Sequence, residues 1–228
     1  MKNRNRRSKA INFSCCTFAL LIVLSVWAAL DFHGGVTAMA GRTGMPVYRG
    51  REGSGVSLVI AVPWASSAFP ELLEKLDETG VKVTFAFTNE VIASSPELVR
   101  EAALRGHEAA LYSESGAEDK EELERLSKLI GEITGAPPGL VLCGSETAGK
   151  LAYRASRAGL SVVVGSVDLR PIGDQPSELA GSVRSQAFDG CIFIAEPTRA
   201  LADELYKIVD FVKKLGADIV PAHKMLYN

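Results

Sequence analysis

The chain has 228 residues, 47% of them hydrophobic, which is enough to bury one substantial core. Its formal charge of −2 hides an asymmetry: residues 1–40 hold five basic side chains and one acidic, leaving 20 basic and 26 acidic in the remainder. A body carrying about −6 lacks the basic face of a nucleic-acid binder, so that class of partner is excluded.

The positive charge is concentrated in residues 1–10, at Lys2, Arg4, Arg6, Arg7 and Lys9. Residues 11–30 follow without a charge and are about long enough to cross a bilayer as a helix. The basic flank should stay in the cytoplasm, so a single-pass anchor with an extracytoplasmic domain at the cell membrane is expected. A signal sequence cut after Ala38-Met39-Ala40 is the alternative and would release a secreted protein. The long gap from Asp31 to that cut favours the anchor. Residues 31–55 are glycine-rich and aperiodic, as a linker would be, and residues 56–228 form the expected domain.

Strand-like and helix-like segments alternate from residue 56 onward. "VSLVIAV" (56–62) and "VKVTFAF" (81–87) are compact β-branched runs suited to buried parallel strands. Leu72, Leu73 and Leu76 give the segment between them one apolar helical face, ended by Gly80. Ser95-Pro96 starts a further helix that Gly106 stops. "AEDKEELERLSKLIGEITG" aligns Leu123, Leu126, Ile130 and Ile133 on one face behind an acidic first turn. The strand-like "GLVLC", "LSVVVGSV", "GCIFIAE" and "ADIVPA" follow, with the amphipathic "RALADELYKIVDFVKKLG" before the last. About six such alternations indicate an α/β fold with a largely parallel sheet, closed or partly closed as a barrel. Cys143 and Cys191 lie in expected strands and read as small buried thiols; Cys15 and Cys16 lie in the apolar stretch.

Several stretches in this order resemble the polysaccharide deacetylase (NodB-homology) family, over roughly residues 46 to 226. They are "PVYRG", "FPELLEKLDETGVKVTFAF", "SSPELVREAALRGHE", "EITGAPP" and "GSVDLRP". The resemblance implies a NodB-type (β/α) barrel, irregular or partly open. It also implies removal of acetyl groups from N-acetylated glycans by a divalent metal held by one Asp and two His, with a second Asp as base. This sequence departs from that pattern at the chemistry-bearing places. Ala61 and Val62 stand where the family has its two Asp residues, within "LVIAVPWAS", where Trp64 matches the Trp of one branch. Tyr112 and Gly116 stand in the places of the metal histidines. Leu142 falls at the family's supporting Arg, Pro171 and Ile172 at its Asp-Trp, and Glu196 at the late His that serves as acid.

The chain's own histidines offer no replacement. His33 is in the linker, while His107 begins one strand and His223 follows the last, which should place these two at opposite ends of the sheet. No metal, no cofactor and no catalytic residue is therefore expected. The reading that follows is a pseudoenzyme that binds cell-wall glycan or an envelope protein through a degenerate cleft at Ala61, Trp64, Tyr112, Gly116, Asp168 and Glu196. Trp64 would stack on a sugar, with Tyr112 and Glu196 hydrogen-bonding to it. The alternative is a hydrolase of carbon–nitrogen bonds other than peptide bonds, rebuilt without metal on Asp168, Glu196, Glu114 and Glu146. A structural spacer is a third reading. Replacing Ala61 with Asp, Tyr112 with His and Gly116 with His is expected to restore weak zinc affinity if the scaffold has kept its geometry.

Overall fold

The computed structural model describes residues 44–227. The basic segment, the apolar stretch at 11–30, His33 and the first part of the linker lie outside the described residues. No described helix is long and apolar enough to cross a membrane. In chain order the elements are β1 (Ser57–Val62), α1 (Phe69–Thr79), β2 (Thr84–Phe87), α2 (Asn89–Ser94), α3 (Pro96–Leu104), β3 (Glu108–Ser113), α4 (Lys120–Thr134) and β4 (Leu140–Cys143). There follow α5 (Ser145–Arg157), β5 (Ser161–Val163), β6 (Val167–Asp168), a 3-10 turn (Arg170–Ile172), α6 (Pro176–Gln186), β7 (Ile192–Ala195), α7 (Arg199–Lys214) and α8 (Ala222–Tyr227).

All seven strands run parallel in one sheet ordered β5-β4-β3-β2-β1-β7-β6. The edge strands β5 and β6 are nonetheless joined by only residues 164–166. Four peptide links from Val163 to Val167 span no more than about 14 Å, so the two edges must curl towards each other. The result is an α/β half-barrel. "LSVVVGSV" was expected to be one strand, but Gly165, at φ +89°, breaks it and sends the chain to the opposite edge.

Residues 46–50 lie at the remaining gap. Val47 pairs with Val163, the Tyr48 carbonyl accepts a hydrogen bond from the Ser166 hydroxyl at 2.7 Å, and the Gly50 N–H donates to the Gly190 carbonyl at 2.8 Å. The N–H groups of Gly53 and Gly55 both donate to the Asp189 carboxylate. Residues 44–55 are therefore part of the domain rather than linker. They lack periodicity because their backbone pairs with several separate partners instead of one neighbouring strand.

Curling gives the sheet two unlike faces. The outer face carries Leu58, Ile60, Val62, Phe85, Phe87, Leu111 and Val141 against the apolar sides of the helices. Phe85 is central there, with its ring centroid 5.1 Å from Phe69 and 5.3 Å from the edge-on His107. The inner face is narrow and is filled by Val59, Ala61, Ala86, Ala110, Leu142 and Ile194, with Ala222 and Met225 of α8 below them. Helix ends follow the expected signals at Gly80 (φ 71°) and at Asp119, whose carboxylate accepts the Glu122 N–H at 2.8 Å. The short α2 was not foreseen from the sequence; the Thr88 hydroxyl caps it by accepting the Val91 N–H at 3.3 Å.

The end of the chain also departs from expectation. "ADIVPA" makes a single bridge, Ile219 to Val56, at the start of β1, and the chain then crosses under the sheet as α8. The Ala222 N–H donates to the Thr84 hydroxyl at 2.8 Å, and the His223 N–H donates to the Glu108 carboxylate at 3.1 Å. Thr84 in turn donates to Glu108 at 2.5 Å. His223 and His107 thus share the N-terminal end of the sheet, contrary to the expectation of opposite ends. Cys143 and Cys191 are both buried and free, and burial pushes the Cys143 thiol up to about 11.

His107 is 5% exposed, and its Nδ1 accepts the Val83 N–H at 3.3 Å. Burial lowers it from 6.5 to about 4, helped by Lys82 and Arg105 and opposed by Asp77. Its neutral form is favoured by folding, so this stabilisation is complete above pH 6.5 and is lost as pH falls towards 4. Glu108, raised by burial, acts in the opposite direction, so the comparison must be made against a variant. We expect His107→Gln to be less stable than the parent at pH 7, with the gap closing by about 1–3 kcal/mol at pH 4.5. Urea unfolding at the two pH values measures this, and an unchanged gap would contradict it.

Candidate functional site

In a parallel barrel the side chains available for chemistry lie at the C-terminal strand ends, on the loops that follow. Here those loops are 63–68 after β1, 114–119 after β3, the turn after β6 and 196–198 after β7. Ala61 is the penultimate residue of β1 and is fully buried on the inner face, in register with Ala86 and, through it, Ala110. Tyr112, two residues beyond Ala110, is half-buried and packs against the same inner cluster. Val62 points the other way, into the outer core.

The mouth of the half-barrel is organised by Arg170, a residue the sequence reading did not single out. Its guanidinium grips both carboxylate oxygens of Asp168, at 2.9 and 2.7 Å, and donates a third hydrogen bond to the Tyr112 hydroxyl at 2.8 Å. The Arg170 backbone N–H adds a fourth, to Asp168 at 3.0 Å. Burial pushes the Asp168 carboxyl up, but Arg170 outweighs it and holds the group below its ordinary value. Burial also raises the Tyr112 phenol, against the pull of Arg170. This is a charge-assisted network in which Arg170 neutralises Asp168.

Glu196 follows β7 directly and is half-buried. Burial raises its carboxyl, Arg170 opposes this, and Asp168, Asp174 and Glu114 reinforce it. Glu196 lines a groove of about 410 Å³, within the range of small-ligand sites, together with Trp64, Ser66, Glu71, Asp174 and Arg199. The groove walls are fixed to one another. The Ser66 hydroxyl donates to the Pro197 carbonyl at 2.7 Å, and the Thr198 hydroxyl to the Gly173 carbonyl at 2.6 Å. Trp64 stands at its lip, 59% exposed.

The six residues expected to share a cleft have different surroundings. Tyr112 and Asp168 are joined through Arg170, Trp64 and Glu196 share the groove, and Ala61 lies beneath on the inner face. Gly116 lies on the 114–119 loop at the same end of the sheet, with φ +63°, and a Cβ on it would fall 2.4 Å from the Thr147 Cβ on α5. Its carbonyl accepts a hydrogen bond from Arg154 of the same helix. Glu146 is exposed at the start of α5, and neither it nor Glu114 lines the groove. Among the described residues no group of three or more His, Cys, Asp or Glu side chains is placed to hold a metal ion. Ala61 and Gly116 offer no ligating side-chain atom, and a guanidinium already bonds to Tyr112. The residues present do not fit a resident metal.

Neither a family model nor a curated protein matches the sequence. Solved structures do. A family 4 carbohydrate esterase pseudoenzyme from Bacillus anthracis superposes with a TM-score of 0.71 at 19% identity, over 81% of this chain and 69% of that one. A mutant of that pseudoenzyme with restored enzymatic activity gives 0.72 at 19%, over 81% and 72%. The chitin deacetylase of the fungal pathogen Colletotrichum lindemuthianum gives 0.66 at 16%, over 80% and 92%. The chain has the fold of the family 4 polysaccharide deacetylases, the NodB-type fold that the sequence motifs resemble.

The position of Gly116 changes the expectation for a rebuilt metal site. A histidine there must adopt a left-handed backbone and displace Thr147, at a cost of about 1–3 kcal/mol. We expect the triple replacement Ala61→Asp, Tyr112→His and Gly116→His to melt below the parent and to take up no more zinc. Calorimetric zinc titration checks this, and uptake above the parent's would show that the loop re-forms around metal.

Proposed function

We propose that this chain is a non-hydrolytic member of the deacetylase fold that binds cell-wall glycan on the outer side of a membrane. The observation that carries this reading is the Tyr112–Arg170–Asp168 network. It engages Tyr112, one of the places where the resemblance puts a metal ligand, with a guanidinium rather than a metal ion. Both Asp168 oxygens accept hydrogen bonds from Arg170, and the guanidinium holds the carboxyl below its ordinary value, which makes it a weaker base. Of the other carboxylates that the metal-independent hydrolase reading invokes, Glu114 and Glu146 do not line the groove with Glu196.

A binding role is supported by the groove itself. Its walls are pinned by hydrogen bonds between loops, so little ordering is needed when a ligand enters. Trp64 gives it a broad apolar face with more than half its surface in water, the arrangement that stacking on the C–H face of a sugar requires. The chitin deacetylase of the same fold acts at a glycan of N-acetylated sugars, and its ligand chemistry is the one we carry over. The basic and apolar N-terminal sequence would hold the domain on the extracytoplasmic side.

The test is titration of the full chain, in mild detergent, with soluble oligomers of β-1,4-linked glucosamine, N-acetylated and free. We expect binding that Trp64→Ala weakens about tenfold or more, the equivalent of one lost aromatic contact. We expect no acetate release and no effect of a chelator. Chelator-sensitive acetate release would establish an enzyme instead, and failure to bind any oligomer would turn attention to an envelope-protein partner.

A further inference from the structure

We infer that the Trp64 groove selects a sugar bearing a free, protonated amine over its N-acetylated form. This rests on the glycan reading above and goes further by naming which glycan. The argument begins with the charges that line the groove. Three carboxylates, Glu71, Asp174 and Glu196, face one guanidinium, that of Arg199. Arg199 pairs with Glu71 at 3.4 Å, which leaves Asp174 and Glu196. Behind them, the charge of Arg170 is matched by both oxygens of Asp168. Among the described residues no side chain or backbone N–H donates a hydrogen bond to the carboxylate of Glu196 or Asp174.

Glu196 is the sharper case because it is half out of water. A carboxylate so placed has lost part of its hydration and has gained no donor in return. The neighbouring Asp168, Asp174 and Glu114 all disfavour its charge, against a single opposing guanidinium. A ligand ammonium placed here would donate to Glu196 and relieve the repulsion with Asp174 at once. An acetamide in the same place brings bulk and no charge. A bare metal ion does not answer the need, since no three ligating side chains converge.

The indole supplies a second observation that is independent of the charge count. Trp64 is 59% exposed at the lip of the groove. Its face stacks on a sugar ring, and its quadrupole attracts a cation carried by that ring. Aromatic face and unpaired carboxylate on one preformed groove describe a ligand that is both ring-shaped and cationic, as an amino sugar is. The class of reaction that supplies such a ligand is hydrolysis of an N-acetyl amide. This chain would then bind a product of the chemistry that its fold performs in other proteins.

The experiment compares free-amine and fully N-acetylated glucosamine oligomers of equal length, titrated calorimetrically into the full chain in mild detergent. At about pH 6 the amine carries its proton. The free-amine oligomer should bind about tenfold more tightly, as expected for one charge-assisted hydrogen bond. Added salt should narrow that difference. Glu196→Gln should bring the preference to within about twofold, and Asp174→Asn should reduce it less. Melting curves equal to the parent's establish that the variants are folded. Equal affinity for the two oligomers, or a preference that survives Glu196→Gln, overturns this inference and leaves glycan binding standing if Trp64→Ala weakens both. Binding of neither oligomer overturns the glycan reading, and this inference with it.

Discussion

The structure depends on a short connection: four peptide links carry the chain from Val163 in one edge strand to Val167 in the other. A flat seven-stranded sheet would hold its edges several strand spacings apart, at about 4.8 Å each. The connection is therefore possible only if the sheet curls, and Gly165 supplies the left-handed turn that it needs. The curl gives the sheet a concave inner face. Alanines at 61, 86 and 110 lie side by side on the three adjacent strands at the middle of the concave side, flanked there by larger groups such as Leu140, Leu142 and Ile194. On the convex side Phe69, Phe85 and Phe87 pack beneath the helices.

The two ends of the half-barrel are closed by different chemistry. At the N-terminal end α8 crosses beneath the strands, tied by Thr84 and Glu108 to the backbone of Ala222 and His223. Buried carboxylate, hydroxyl and backbone N–H satisfy one another there, so the end is structural. At the C-terminal end Arg170 draws Tyr112 and Asp168 together across the mouth. This leaves Glu196 beside the network without a hydrogen bond from it. The open groove beside Trp64 is thus the place at the mouth where an external ligand gains most.

The fold and the chemistry of this protein give separate information. Its likeness to deacetylases is a likeness of scaffold, at below 20% identity to each of the solved structures described above, and function belongs to sites placed on scaffolds. The residues at this mouth form a bidentate ion pair beside an unpaired carboxylate, and no metal-ligating cluster is found among the described residues. On the proposed reading, a change from catalysis to recognition would need little alteration of the fold, because the same loops and groove would serve both.

What the sequence determined by itself was the order and type of most elements, because amphipathic periodicity and helix-stop glycines are local properties. The apolar faces of α1, α4 and α7 and the buried runs of β1, β4 and β7 are legible residue by residue. The motif order also carried the fold, since spacing between elements reflects how they stack. Only the tertiary structure decided the rest. Arg170 meets Tyr112 across 58 residues of chain, and no periodicity records such a contact. The spacing of Gly116 after His107 does not record its left-handed backbone or its approach to Thr147 of α5. Residues 44–55 read as linker because their hydrogen bonds go to several distant partners, and His223 was misplaced because one bridge replaced an expected strand. Each of these depends on how far the sheet curls, a property of the whole set of strands that no single segment contains.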